Sequence, residues 1–74
     1  MINIPSDAGA LTSVSRYLYT HIAGESVSTV EMKFQSGFSY YSSAIVGSED
    51  DIQASTRADA IKNHESLVNK VIAG

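Results

Sequence analysis

The chain has 74 residues, which is enough for one small domain over residues 1–74 with a modest core. Five basic and eight acidic residues give a net charge of −3, which argues against nucleic-acid binding through clustered lysines and arginines. The chain has no cysteine and only two histidines, which excludes disulfides and thiolate metal sites.

The first predicted element is a helix over about residues 7–23. Ser6 or Asp7 can cap its start, and Gly24 ends it. A stripe of apolar residues recurs at helical spacing, namely Leu11, Val14, Leu18 and Ile22. Tyr19 falls off this stripe, so we expect its ring to point toward solvent or a partner.

Residues 27–46 are compatible with either a hairpin or a helix. A turn at Gln35–Gly37, with a left-handed glycine, would place Met32 opposite Tyr40. One face would then be apolar, with Val30, Met32, Phe34, Phe38 and Tyr40. The other would be polar, with Glu31, Lys33, Ser39, Tyr41 and Ser43.

The helical alternative rests on apolar residues that recur every three or four positions, from Val27 through Phe34 and Phe38 to Ile45. Against it stand several serines and Gly37, which in a helix interior costs about 1 kcal/mol relative to alanine. We therefore favour the hairpin.

The last predicted element is a helix over residues 56–72, with Thr56 as the cap and Asp59 completing a capping box. A start near residue 49 is also possible, because Glu49, Asp50 and Asp51 would suit the first turn. His64 belongs to the apolar stripe of this helix. We expect its ring to pack at the edge of the core with one nitrogen in water.

These elements predict an α+β fold in the order helix–strand–strand–helix. Two helices would pack on the apolar face of a two-stranded antiparallel hairpin whose open edges could accept a strand from another chain. The alternative is an all-α fold, either a three-helix or a helical-hairpin subunit.

The residue pattern predicts no enzyme, cofactor site or metal site. The three acids at residues 49–51 lack the spacing of a calcium loop, and no serine lies in a nucleophile motif. The residues that we single out as candidate partner contacts are Tyr19, Glu31, Lys33 and Tyr41.

In its predicted order of elements, residues 8–72 resemble the small head–tail joining proteins of tailed phages, in which a glycine closes the first helix as Gly24 does here. Members of that family are more basic than this chain. With residues 27–46 helical, "EMKFQSGFSYYSS" is instead similar to the helical needle subunits of secretion machines, although the proline turn of those subunits is missing.

The predicted function is a non-enzymatic protein–protein interaction or assembly module, with another protein or copies of itself as the partner and possible use in a phage or secretion assembly. The alternatives are a small inhibitor or regulator of a larger protein and a weak nucleic-acid-binding protein. The sequence shows no membrane span or signal peptide. We therefore expect a cytoplasmic protein, or one in a virion or secreted assembly.

Overall fold

The computed structural model describes residues 2–74 as a four-stranded antiparallel sheet followed by one helix. The elements are β1 Leu11–Ile22, β2 Glu25–Phe34, β3 Ser39–Ile45, β4 Ile52–Ala54 and α1 Arg57–Ala73. The strands lie side by side in chain order, and α1 packs against all four. The predicted helix–strand–strand–helix order is therefore wrong, and so is the all-α alternative.

The predicted first helix is in fact the longest strand, β1, which pairs with β2 from Leu11 to Ile22. Six of its twelve residues are β-branched or aromatic, a class that packs well on a pleated surface: Thr12, Val14, Tyr17, Tyr19, Thr20 and Ile22. The register slips between Leu11 and Ser13 and again between Arg16 and Leu18. Each slip interrupts the alternation of side chains, so that Leu11 and Val14 lie on one face of the sheet and Leu18 and Ile22 on the other, although the four residues share a helical spacing in the sequence.

A two-residue turn joins β1 to β2. Ala23 has φ 53° and Gly24 has φ 77°, so both central residues lie in the left-handed region. This is the conformation of a type I′ turn, whose twist matches that of the flanking strands. Gly24 thus ends a strand rather than a helix.

The predicted hairpin at Gly37 is present. Gly37 has φ 96°, and β2 pairs with β3 so that Val30 lies opposite Ser42 and Met32 opposite Tyr40. The Phe34 amide donates to the Phe38 carbonyl at 2.8 Å, which closes the turn. The helical alternative for residues 27–46 is therefore excluded.

The helix covers the face of the hairpin that was predicted to be polar. Thr29 and Ser43 lie opposite each other beneath α1, and both are buried. Because side chains alternate along a strand, Val30, Met32 and Tyr40 point to the other side of the sheet. We call that side the open face, since α1 does not cover it.

The C-terminal helix begins at Arg57, and Thr56 caps it by accepting a bond from the Asp59 amide at 3.2 Å. The cap prediction is confirmed, whereas a start near residue 49 is wrong. The intervening chain forms a loop and the short strand β4. The Asp51 carboxylate accepts a bond from the Ser42 hydroxyl at 2.7 Å, so this acid ties the loop to β3.

The N-terminal segment, residues 2–10, covers the part of the open face that β3 and β4 form. At one end the Ser36 amide donates to the Ala8 carbonyl, and at the other the Ile2 amide donates to the side chain of Gln53, both at 3.0 Å. Gln53 lies opposite Ser42, so the segment crosses from the β2–β3 turn to β4. The part of the open face formed by β1 and β2 is not covered in this way.

Candidate functional site

A chain of buried and half-buried hydrogen bonds joins α1 to the sheet through His64. Its Nε2 lies 2.9 Å from the Thr20 hydroxyl, and its Nδ1 lies 2.8 Å from the Thr29 hydroxyl. The Thr29 hydroxyl is also 2.7 Å from that of Ser43. The ring is only 5% exposed, so the expectation of one nitrogen in water is wrong.

Burial lowers the pKa of His64, and the nearby Glu65 carboxylate offsets only part of this effect. The neutral ring has one donor and one acceptor nitrogen, and a threonine hydroxyl can serve either. Histidine beside hydroxyl groups also occurs in nucleophilic catalysis, but Thr29 and Ser43 are both essentially inaccessible. The network therefore joins the helix to the sheet, and its Thr29 and Ser43 hydroxyls are closed to solvent.

The most exposed element of the fold is β1. It is an edge strand with β2 as its neighbour on one side, and residues 11–17 are all exposed. Val14 is 53% exposed and Tyr19 is 46% exposed. A long edge strand with unpaired backbone groups is a template for pairing with another chain.

The turn geometry identifies which backbone groups of β1 point outward. In the Ala23–Gly24 turn, Ile22 and Glu25 form a hydrogen-bonded pair, and such pairs alternate along an antiparallel ladder. The amides and carbonyls of the odd-numbered residues of β2 thus point toward β1. The amides and carbonyls of the even-numbered residues point toward β3. The Phe34 amide donates to the Phe38 carbonyl, and the Ser26 carbonyl accepts from the Val46 amide.

From Ser13 onward, residues of β1 that lie opposite even-numbered residues of β2 therefore direct their amides and carbonyls away from the sheet. These residues are Val14, Arg16, Tyr19 and His21. We call this set the outer edge. The interval between Arg16 and Tyr19 is three residues rather than two, because Tyr17 is the extra residue of the bulge.

The side chains of the outer edge all lie on the open face, next to its apolar residues. Val14 lies opposite Met32, which lies opposite Tyr40. The Arg16 guanidinium lies 4.4 Å from the centre of the Tyr19 ring, a cation–π contact. The rings of Phe34, Phe38 and Tyr40 cluster beside this row, with centroids 5.7 to 6.3 Å apart.

The four predicted contact residues do not form one surface. Tyr19 lies on the open face, whereas Glu31, Lys33 and Tyr41 project toward the side of the sheet that α1 occupies. Lys33 and Glu31 form an ion pair at 3.7 Å. Tyr41 is only 6% exposed, and its hydroxyl accepts a bond from Arg57, which raises the pKa of that guanidinium.

Sequence reasoning did not identify the outer edge, because it treated residues 7–23 as a helix. Two signals could have pointed to it. The segment is rich in β-branched and aromatic residues, and it ends in Ala23–Gly24 followed by a second alternating segment.

A shallow depression of about 440 Å³ lies between the end of α1 and the β1–β2 turn. It is open to solvent and places Glu25 and Lys70 on its walls. Among residues 2–74, no three histidine or acidic side chains are grouped so that they could hold a metal ion. In the same range, no helix combines the length and apolar character needed to cross a membrane.

Comparison of the chain with protein families, curated protein sequences and solved structures found no match.

Proposed function

We propose that this protein is a non-enzymatic assembly module that joins another polypeptide along the outer edge of β1. The observation that carries the proposal is the length and exposure of this strand, with seven consecutive exposed residues beside an unpaired row of amides and carbonyls. A strand added there gains main-chain hydrogen bonds, and its side chains contact the neighbouring faces of the sheet.

The composition of β1 supports this function. Edge strands that avoid pairing commonly carry lysine, proline, inward-pointing charge or β-bulges, and of these β1 has two bulges but no lysine or proline. Here the only formally charged residue of β1 is Arg16, whose charge lies against the ring of Tyr19. The opposite edge of the sheet has only the three residues of β4, which limits pairing on that side.

The open face supports it as well. Val14 and Tyr19 are exposed large side chains on this face, and Met32 and Phe34 lie half-buried beside them. An apolar row next to an open strand edge lets an added strand bury side chains as well as pair its backbone. The Thr29 and Ser43 hydroxyls of the His64 network are buried, which is consistent with a non-enzymatic role.

Site-specific photocross-linking in the native cells tests the proposal. A benzophenone amino acid replaces Val14 on the outer edge in one variant. In the matched control it replaces Lys62, an exposed residue of α1. We expect a discrete cross-linked product from position 14 and none from position 62, with mass spectrometry showing whether the product contains a second copy or another protein.

Equal cross-linking from the two positions, or none from position 14, contradicts the proposal. In either case the outer edge would not be the preferred contact surface of the protein.

A further inference from the structure

We infer that the polypeptide joined along β1 is a second copy of this chain, paired antiparallel about a two-fold axis between Tyr17 and Leu18. This inference rests on the proposed function and specifies its partner. In the resulting dimer the two sheets form one continuous eight-stranded sheet. Both copies of α1 lie on one side of this sheet and both open faces on the other.

The register follows from the spacing of the outer edge. Its outward backbone groups belong to residues 14, 16, 19 and 21, with a change of phase at the bulged Tyr17. Antiparallel pairing requires outward residues of one strand to meet outward residues of the other. Pairing Val14 with His21 and Arg16 with Tyr19 of the second copy satisfies all four positions in both chains, and no other register does.

The same spacing favours a second copy over an unrelated strand. A regular strand alternates without interruption, so it can match the outward groups on only one side of the bulge. A second copy contains the same interruption, and the two-fold axis places it at the corresponding point. The match supplies about eight main-chain hydrogen bonds, two for each hydrogen-bonded pair.

Charge and side-chain contacts agree with this register. Arg16 would lie opposite Tyr19 of the second copy, on the face where it already contacts the Tyr19 ring of its own chain. The two Arg16 side chains would be offset by three positions, about 10 Å along the strand, so like charges do not oppose each other. Val14 would cover the apolar part of the His21 ring.

Disulfide trapping with two single-cysteine variants tests the register. Val14→Cys and His21→Cys change exposed residues of a chain that has no other cysteine. Opposed residues of a hydrogen-bonded pair have Cα atoms about 5.5 Å apart, which a disulfide can span. In contrast, two copies of residue 14 would be about 24 Å apart, as would two copies of residue 21.

Mild oxidation of an equimolar mixture should give a mixed disulfide dimer that reducing agent dissociates, while each variant alone should give at least tenfold less dimer. Absence of the mixed disulfide, or dimers formed equally well by either variant alone, overturns the register.

Sedimentation equilibrium of the unmodified chain provides the second measurement. A concentration-dependent monomer–dimer equilibrium is expected, and a strict monomer up to millimolar concentration overturns the inference. Should the purified chain stay monomeric while position 14 cross-links to a different protein in cells, the second-copy inference fails and the proposed function stands.

Discussion

The Nδ1 atom of His64 lies 2.8 Å from the hydroxyl of Thr29, which joins the middle of α1 to the centre of the sheet. Thr29 in turn lies 2.7 Å from Ser43, so that the contact extends from α1 across β2 to β3. A small domain with few large buried apolar side chains thus relies on a polar network whose buried groups are all paired.

Replacing His64 with leucine should destabilise the fold by about 1–3 kcal/mol, because the buried Thr29 hydroxyl and the half-buried Thr20 hydroxyl both lose their ring partner. Urea unfolding measures the change, and Ser66→Leu, at an exposed position of the same helix, is the control. The triple variant H64L/T29V/S43A should recover part of the loss, since it removes the polar partners together. No loss in H64L would show that the network does not stabilise the fold.

Stability should depend on pH through His64. Burial lowers the pKa of its folded form, so the unfolded chain binds a proton that the folded chain does not. The stability that the neutral His64 ring contributes is therefore fully present above the pKa of histidine in the unfolded chain, about 6.5. It decreases as the pH falls below that value, until the pH reaches the pKa of His64 in the folded protein.

The free energy of unfolding, measured from pH 4 to 8 for the unmodified chain and for H64L, isolates this effect from the carboxylates that both proteins share. The difference between the two proteins should shrink as the pH falls. A difference that is constant over this range contradicts a lowered pKa for His64.

The β1–β2 turn contains one residue that is poorly suited to it. Ala23 has φ 53°, and a left-handed residue other than glycine or asparagine is strained by about 1–2 kcal/mol. Ala23→Asn should therefore stabilise the protein by about 0.5–1 kcal/mol, since Asn-Gly is a preferred pair for this turn. Thermal unfolding measures the gain, and a lower melting temperature would contradict the assigned turn.

The crossing of the N-terminal segment depends on Gly9. A β-carbon there would lie 2.8 Å from Oε1 of Gln35 and 2.9 Å from its Cβ, at φ 78°. Gly9→Ala should destabilise the protein more than Gly47→Ala, because Gly47 also has a positive φ but has no atom within 4 Å of that position. Denaturant unfolding compares the two, and equal losses would show that the contact with Gln35 has no energetic importance.

The sequence predicted the elements whose signals are local. Gly37 specified the β2–β3 turn and the opposition of Met32 and Tyr40, and Thr56 with Asp59 specified the start of α1. Each depends on a few neighbouring residues, which explains why these predictions were correct.

The side of the sheet that α1 covers depends on contacts between distant residues. The polar side chains of Glu31, Lys33 and Ser43 suggested a solvated face. Instead, the Ser43 hydroxyl meets that of Thr29, which in turn meets His64, 35 positions along the chain. The one indication in the sequence was a histidine within an apolar helical stripe. The bulge at Tyr17 concealed β1 in a similar way, since it interrupts the alternation that identifies a strand.

Amide hydrogen exchange of β1 at low micromolar and at millimolar protein concentration tests the assembly of this protein most directly. The amides of Leu18 and Thr20, which point toward β2, should be protected at both concentrations. Those of Val14, Arg16, Tyr19 and His21 should exchange rapidly in the dilute sample and become protected in the concentrated one. Rapid exchange of these four amides at both concentrations would contradict self-assembly through the outer edge.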